Sequence, residues 1–313
     1  MRRLLLFLLC FPIAALAETV RIPGPQGPLE AEAIRVDGAA HAVVIIPGSG
    51  PTNRDGNSPR MGLASDTYKL LAEGLAARGI TSLRVDKRGF YGSQGAQADP
   101  NDVTIAAYAE YTRGWIDAAS RLAPCVWLAG HSEGGLVALV TARKPPPALC
   151  GLLLLSTAGR PVGDLMIEQL RAQPGNAAIL PEVESLVADL AAGKPRDPAM
   201  ISEGLRPLFS TGLQRYMMDL FAYDPVVEAG HWPGPALIVQ GDADVQVLPR
   251  DANLLQQAMP QAKRVNLPGG THMLKAGMPN APLATYTDPT LPLHPALVPA
   301  LVDFMDAHPP KAR

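Results

Sequence analysis

Ser132 lies in the segment GHSEGG, residues 130–135, which contains the pattern G-x-S-x-G. A serine hydroxyl is a poor nucleophile at neutral pH, so it needs a histidine as general base and a carboxylate to orient that histidine. In chains with this pattern the partners follow the serine in the order acid, then histidine. The chemistry that these residues predict is acyl transfer through a covalent intermediate on Ser132. Because a short motif is weak evidence by itself, the partners and the surrounding elements must support this interpretation.

The candidate bases are the four histidines that follow the serine, namely His231, His272, His294 and His308. His272 comes after the predicted strand KRVNL and a Pro-Gly-Gly turn. It would therefore lie in a loop at the carboxyl end of that strand, where ligands bind in open α/β sheets. The other three lie beside or within predicted helices and are expected to be structural or solvated. His272 is the predicted base.

The candidate acids follow the preceding predicted strand, ALIVQ, in the segment GDADVQV. This segment contains Asp242 and Asp244, and the residues by themselves leave both open.

The elements around these residues alternate between short apolar runs and helical patterns. HAVVIIP, ITSLRV, CVWLA, CGLLLL and ALIVQ are nearly continuous apolar runs, as is typical of buried parallel strands. The pattern predicts an α/β fold with a mostly parallel sheet and helices on both faces. Residues 18–160 and 234–313 would form this core, and residues 161–233, helical by period and without a clear strand, would form a helical cap insertion. The Pro-rich connection GMPNAPLATYTDPTLPLHP is expected either to follow the surface closely or to be mobile.

The first 17 residues resemble a secretory signal peptide. Arg2 and Arg3 precede an apolar run that ends in Ala15-Leu16-Ala17, an A-x-A cleavage pattern. We expect cleavage after Ala17 and a periplasmic or secreted protein without stable membrane insertion. A retained N-terminal anchor is the alternative.

Two cysteines, Cys125 and Cys150, remain after the predicted leader, and each opens an apolar run. A strand, helix, strand unit places two such strands side by side and parallel, so both cysteines would lie at the same edge of the sheet. An exported protein can form a disulfide there, and two free buried thiols are the alternative.

Composition restricts the class of partner. The chain of 313 residues has a formal net charge of −2 and a pI near 6.3, which gives no electrostatic reason to expect nucleic acid. A small molecule is the expected partner. The oligomeric state of the protein does not follow from the sequence. The six histidines are scattered and no H-E-x-x-H motif is present, so no metal or cofactor is predicted.

The segments IIPGSGPTNRDG, DKRGFYGS, GHSEGG, GDADVQV and GGTHMLK together resemble the α/β-hydrolase superfamily. More narrowly, the chain is similar to exported bacterial serine hydrolases and esterases, including relatives of the prolyl-oligopeptidase type. In that family the acid loop usually reads G-x-x-D-x-x-V, which falls on Gly241, Asp244 and Val247. The resemblance therefore implies Asp244 as the acid, with Asp242 as a residue that stabilises the turn.

The resemblance also implies an oxyanion hole formed by the backbone N–H groups of Ser49 and Glu133. The side chain of Ser49 is not expected to take part, and the side chains of His131 and Glu133 are expected to pack or hydrogen-bond within the turn. The implied function is a serine carboxylesterase-type hydrolase that cleaves short-chain esters. A peptidase, thioesterase or acyltransferase on the same residues, and a non-catalytic exported binding scaffold, are the alternatives.

Two further groups of residues have a functional and a structural interpretation. Arg54, Lys87 and Arg88 could bind an anionic group of the substrate, but pairing with acids that shapes two turns is preferred. Apolar residues of the insertion could line an acyl pocket, but helix-spaced apolar residues more often belong to the core; these are Phe209, Met217, Met218, Phe221 and Tyr223.

Overall fold

The protein is described by a computed structural model that covers residues 16–310. Residues 1–15, which form most of the predicted signal peptide, lie outside the described residues, so the leader and its cleavage stay predictions. The predicted cleavage position after Ala17 falls within the first described strand.

The central element is an eight-stranded sheet with the strand order β1-β2-β6-β3-β7-β8-β9-β10. β1 pairs with β2 and β2 with β6 in antiparallel fashion, and the other neighbours are parallel. A small second sheet pairs β4 with β5. The strands are β1 (Leu16–Ile22), β2 (Leu29–Arg35), β3 (His41–Ile46), β4 (Asn57–Ser58), β5 (Leu63–Ala64), β6 (Thr81–Val85), β7 (Cys125–His131), β8 (Leu149–Leu155), β9 (Ala236–Gly241) and β10 (Lys263–Leu267). The predicted mostly parallel sheet is confirmed.

Helices cover both faces of the sheet. They are α1 (Thr67–Ala76), α2 (Ile105–Ala119), α3 (Glu133–Ala142), α4 (Val162–Arg171), α5 (Leu180–Ala191), α6 (Thr211–Phe221), α7 (Pro225–Gly230), α8 (Pro249–Ala258), α9 (Ala284–Thr287) and α10 (Leu297–Asp306). Within residues 16–310, no helix is both long and apolar enough to cross a bilayer.

Alternate residues of each central strand enter two separate cores, because successive side chains of a strand point to opposite faces. In β3, Ala42 and Val44 belong to the core under α2, α3 and α8, whereas Val43 and Ile45 belong to the core under α1 and α10. Burial on both faces explains why these strands are apolar without alternation. Two packed layers therefore hold the carboxyl ends of the parallel strands, and the loops that follow them, in fixed positions.

The predicted insertion corresponds to the chain between β8 and β9, which contains α4 to α7. Its helices pack on one another and reach the loops at the carboxyl edge of the sheet. Gln169 of α4 donates to the carbonyl of Gln246 at 3.0 Å, and Asp219 of α6 accepts the N–H of Ile105 at 2.6 Å. Phe209 and Phe221 are buried in the core and Met217, Met218 and Tyr223 pack against it, as the preferred interpretation predicts.

The Pro-rich connection lies against the molecule. The Nζ of Lys275 donates to the carbonyl of Asp288 at 3.2 Å, and Tyr286 accepts from Gln246 at 3.1 Å. Leu293 forms an isolated bridge with Lys275. The segment therefore follows the surface of the molecule, which is one of the two expectations for it.

Cys125 and Cys150 are joined by a disulfide, with a Cα–Cα distance of 5.6 Å. Cys125 begins β7 and Cys150 is the second residue of β8, so the bond connects two neighbouring parallel strands at their amino ends. This is the pairing predicted from the positions of the two cysteines.

Removing this disulfide is expected to lower the free energy of unfolding by about 3 kcal/mol, because the bond closes a loop with a sequence separation of 25 residues. The measurement is urea unfolding of the wild type and of the Cys125→Ala/Cys150→Ala variant. Intact mass after alkylation provides the control for the wild type. Two alkylatable thiols in the folded, non-reduced protein would contradict the bond.

Candidate active site

Ser132 occupies the turn between β7 and α3, with φ 55° and ψ −122°, a backbone conformation that is strained for any residue with a side chain. It is partly exposed, whereas its neighbours His131 and Glu133 are buried. The turn also requires the flanking glycines, because a Cβ at Gly130 would lie 2.3 Å from the carbonyl oxygen of Gly134. The hydroxyl of Ser132 is therefore accessible at the carboxyl edge of the sheet, whereas the side chains of the two neighbouring residues are buried.

His272 and Asp244 form a buried hydrogen-bonded pair. The Nδ1 of His272 lies 2.9 Å from Oδ2 of Asp244. The other oxygen of Asp244 accepts the N–H groups of Gln246 at 2.8 Å and Val247 at 2.9 Å. Burial alone would raise the pKa of Asp244, but His272 and these hydrogen bonds hold it below its ordinary value. A carboxylate only accepts hydrogen bonds, so Nδ1 of His272 carries the proton and Nε2 is left as the basic nitrogen.

The structure separates the roles of the two candidate acids. Asp242 accepts the N–H of Gly269 at 2.6 Å, in the turn that precedes His272, and thus joins the two loops. Asp244 alone of the pair contacts the histidine ring. The distribution of roles that the resemblance implies is the one that the geometry supports.

His131 links the turn of Ser132 to the loop of His272. The rings of His131 and His272 have centroids 4.7 Å apart, and His131 directly precedes the serine. Within residues 16–310, the Oγ of Ser132 makes no hydrogen bond with His272. Such bonds are often long in free enzymes and tighten in the complex with substrate.

His131 connects three loops of the site. Its Nε2 donates to the carbonyl of His272 at 2.7 Å, and its Nδ1 accepts the hydroxyl of Tyr68 at 2.8 Å. The N–H of Gly48 in turn donates to that hydroxyl oxygen at 3.0 Å. The expectation that His131 bonds within its own turn is therefore wrong, because the ring points away from the turn towards α1 and the histidine loop. This chain of hydrogen bonds fixes the loop after β3 relative to the predicted base.

Lowering the pH from 7 to 5 is expected to destabilise the fold through His131. Burial and the neighbouring His272 lower the pKa of His131 from 6.5 to about 3, so the unfolded chain binds a proton below pH 6.5 that the folded protein does not. Stability is then lost as the pH falls, by about 1.4 kcal/mol per pH unit, or about 2 kcal/mol at pH 5. The measurement is urea unfolding at both pH values for the wild type and His131→Gln.

Glutamine can keep both hydrogen bonds of His131 but does not titrate, so the variant should lose less stability between pH 7 and 5 than the wild type. His231→Gln, at an exposed position, is the control and should retain the wild-type slope. Equal slopes for the wild type and His131→Gln would contradict the assignment.

An oxyanion donor must have no hydrogen-bond acceptor within the protein, and the N–H groups of Ser49 and Glu133 meet this requirement. In the described part of the chain neither N–H has an acceptor, whereas the N–H of Gly48 is occupied by Tyr68. A Cβ at Gly48 would lie 3.2 Å from the Cβ of Ser132, so this loop lies directly against Ser132. Glu133 also opens α3, and helix amino ends favour negative charge.

Two expectations for side chains near these donors are incomplete. The hydroxyl of Ser49 donates to Oε2 of Glu133 at 2.9 Å, and the Nζ of Lys87 donates to Oε1 of Glu133 at 2.8 Å. Glu133 thus bonds to two other loops instead of to its own turn. Sequence reasoning singled out Ser49 and Lys87 separately but missed their contacts with Glu133, because the two residues lie 84 and 46 positions away from it along the chain.

Arg54 pairs with acids, as the preferred interpretation predicts, whereas Arg88 contacts a tyrosine hydroxyl instead of an acid. Arg54 forms ion pairs with Glu30 at 2.6 Å and Asp86 at 2.5 Å, and Arg88 donates to the hydroxyl of Tyr111 at 2.9 Å. These contacts join the loops after β3 and β6 to each other, to β2 and to α2.

The other histidines also behave as expected. His294 contacts the carbonyl of Pro268 at 3.0 Å and His308 that of Phe304 at 2.8 Å, while His231 is exposed. In the described residues no cluster of three or more histidine, cysteine or acidic side chains could hold a metal ion.

Comparison with known sequences places these features in a family. The profile of the family described as serine aminopeptidase, S33, matches residues 58–276. Esterase EstD of Thermotoga maritima is 26% identical over 221 residues, which cover 68% of this chain and 48% of the relative. The chain thus spans about half the length of that relative.

Solved structures share the fold at low sequence identity. Est1E of Butyrivibrio proteoclasticus, determined with bound ferulic acid, superposes with a TM-score of 0.60 at 20% identity and covers 92% of this chain and 98% of its own. A thermophilic esterase of Thermogutta terrifontis, determined with bound malate, gives 0.58 at 19% identity, covering 93% and 100%. The predicted α/β-hydrolase fold is confirmed. The narrower likeness to relatives of prolyl-oligopeptidases stays a prediction.

Proposed function

Because the chain belongs to the serine aminopeptidase S33 family of α/β-hydrolases, we propose that it is a serine hydrolase that cleaves short-chain carboxylic esters. The observation that carries the proposal is the buried pair of His272 and Asp244, whose histidine ring contacts that of His131, the residue before Ser132 in its strained turn. The esterase relatives support the same class of reaction. Function itself does not follow from the fold, so the site has to carry the argument.

The proposed reaction begins when Oγ of Ser132 attacks the ester carbonyl carbon while its proton passes to Nε2 of His272. Asp244 holds the histidine ring in the required tautomer. The N–H groups of Ser49 and Glu133 donate to the oxyanion of the tetrahedral intermediate. Collapse expels the alcohol, which takes the proton from His272, and leaves an acyl group on Ser132. Water, deprotonated by His272, then releases the carboxylic acid and restores the serine. No cofactor takes part in these steps.

Hydrolysis of peptides is the second candidate, because the matching family is described as serine aminopeptidase. An aminopeptidase has to hold the α-ammonium group of its substrate, which calls for an available carboxylate or several acceptors near the nucleophile. The two buried carboxylates at this site, those of Glu133 and Asp244, are already engaged by Lys87 and His272. This geometry favours a neutral ester over an N-terminal amine.

A short acyl chain is proposed because the apolar side chains of the segment between β8 and β9 that could have lined an acyl pocket are engaged by the core. Phe209 and Phe221 are buried within the core, and Met217 and Met218 pack against it, so these residues are unavailable to line a deep acyl pocket. The cap interpretation rests on the contacts of α4 and α6 with the acid loop and α2.

The experiment compares kcat/KM for p-nitrophenyl acetate, butyrate and octanoate, and for the butyryl thioester and anilide. The expected order is ester above thioester above anilide, with the short esters above octanoate. Faster cleavage of an anilide with a free amino group than of the butyrate ester would replace the proposal by an aminopeptidase. Hydrolysis of none of these compounds by the folded protein would favour the binding scaffold.

Export is proposed separately. Arg2, Arg3 and the A-x-A pattern ending at Ala17 support it, and so does the Cys125–Cys150 disulfide, since such bonds persist in oxidising compartments. Intact mass of the protein recovered from the periplasm and medium is expected to correspond to a chain that begins at Glu18. Full-length protein found in the cytoplasm would contradict export.

A further inference from the structure

The cluster formed by Ser49, Lys87 and Glu133 joins three loops that follow β3, β6 and β7. The side chains of Lys87 and Glu133 are only 7% and 2% exposed and form an ion pair at 2.8 Å. The Oε2 of Glu133 accepts the hydroxyl of Ser49 at 2.9 Å. The reaction steps above use only the backbone N–H groups of Ser49 and Glu133, so the side chains of the cluster have no assigned role.

We propose that Glu133 and Lys87 form a charge-compensated pair that positions Ser49 as an oxyanion donor. The proposal rests on the proposed serine hydrolase function. In it, Ser49, Glu133 and Lys87 are positioning residues through their side chains.

The positioning argument follows from the hydrogen bonds of Ser49. Its hydroxyl donates to Glu133, and its carbonyl accepts the hydroxyl of Thr52 at 3.1 Å. The preceding residue, Gly48, donates its N–H to Tyr68 at 3.0 Å. The N–H of Gly48 and the hydroxyl and carbonyl of Ser49 are therefore engaged, which holds the segment on both sides of the N–H of Ser49. The tether matters because Ser49 lies between two glycines in an exposed loop, and Gly50 has a positive φ of 75°.

The charge argument concerns the carboxylate of Glu133. The residue supplies a backbone donor for an oxyanion and, a few atoms away, a negative side chain that would oppose the charge developing there. Lys87 cancels that charge at contact distance. Burial alone would raise the pKa of Glu133, but the charge of Lys87 and the hydrogen bonds from Lys87 and Ser49 keep the pKa below its ordinary value. Glu133 is thus ionised at neutral pH, and the compensation by Lys87 is required.

The test measures kcat, KM and the pH dependence of kcat/KM with p-nitrophenyl butyrate for four proteins. These are the wild type, Ser49→Ala, Lys87→Met and the Lys87→Met/Glu133→Gln double variant. Ser49→Ala keeps the N–H but frees the loop, and should lower kcat about 10-fold. Lys87→Met leaves the carboxylate uncompensated, and should lower kcat about 100-fold with little change in KM.

The double variant distinguishes charge compensation from packing. It is neutral and keeps an amide oxygen for the hydroxyl of Ser49, so kcat should return to within about 10-fold of the wild type. In Lys87→Met the uncompensated carboxylate adds a negative charge at the site, so the acid limb of kcat/KM should move to higher pH; the double variant should reverse this movement. If the cluster had a purely structural role, the acid limb of kcat/KM would stay at the wild-type pH in both variants.

The matched control is Arg143→Met, which breaks the ion pair of the exposed Arg143 with the buried carboxylate of Glu228 at the far end of α3. It should cost stability without changing kcat. If Lys87→Met does not fold, Ser49→Ala and the double variant still decide the matter, since neither leaves a buried charge unpaired. Wild-type kcat in Ser49→Ala, or a double variant no better than Lys87→Met, would overturn the inference while leaving the hydrolase proposal intact. A folded wild type that neither hydrolyses the ester nor reacts with a fluorophosphonate would instead remove the proposed function, and the inference with it.

Discussion

Replacing Ser132 by alanine is expected to reduce ester hydrolysis by about 10⁵-fold or more, because the variant lacks the atom that forms the acyl intermediate. The same change should abolish covalent labelling by a fluorophosphonate, which reacts only with an activated serine. Intact-protein mass after labelling is the measurement, with a single adduct expected on the wild type. His272→Ala should also lose the adduct, because the hydroxyl of Ser132 then has no base to take its proton.

The control for this prediction is Ser156→Ala. Ser156 follows β8 as Ser132 follows β7, and both serines have a positive φ, of 44° and 55°. Ser156 is fully buried, however, and its hydroxyl has no partner within the described residues, so its removal should leave labelling and hydrolysis unchanged. An adduct that persists on Ser132→Ala would place the nucleophile elsewhere. A folded wild type without any adduct would move the conclusion to a binding scaffold.

Asp244→Asn is expected to lower kcat by about 10⁴-fold with little effect on folding. The amide oxygen of asparagine can still accept the N–H groups of Gln246 and Val247, so the loop keeps these two hydrogen bonds and loses only the longer one from Gln240, at 3.3 Å. Its amide nitrogen then faces Nδ1 of His272 as a donor, which places the ring proton on Nε2. In that tautomer the nitrogen nearest the serine cannot accept a proton. The measurement is kcat for p-nitrophenyl butyrate, with circular dichroism to confirm folding.

Asp242→Asn is the matched control in the same loop. Asp242 accepts only the N–H of Gly269, and asparagine can make the same bond, so its activity should stay close to that of the wild type. If Asp242→Asn were as damaging as Asp244→Asn, the acid would not be assigned to a single residue, and the loop as a whole would be the functional unit.

The pair of Asp244 and His272 illustrates how far sequence patterns reach at this site. Each residue follows a strand whose apolar run is evident, and carboxyl ends of parallel strands meet at one edge, so their convergence could be predicted. The choice between Asp242 and Asp244 could not be made from the residues, because both lie in one loop, two positions apart. It required the resemblance to a family, and the 2.9 Å contact of Asp244 with the ring supports it.

The sequence by itself determined three features: the turn that carries Ser132, the mostly parallel sheet, and the neighbouring positions of Cys125 and Cys150. These features depend on residue spacing of a few positions or on neighbouring strands, where local periodicity carries the information. Only the tertiary structure decided the partners of His131, Glu133 and Ser49. Their hydrogen bonds join loops 46 to 141 residues apart, and which loop tips meet depends on strand order and on the packing of both faces of the sheet. Contacts between side chains of such distant loops produce no periodic pattern in the sequence, so the sequence alone does not predict them.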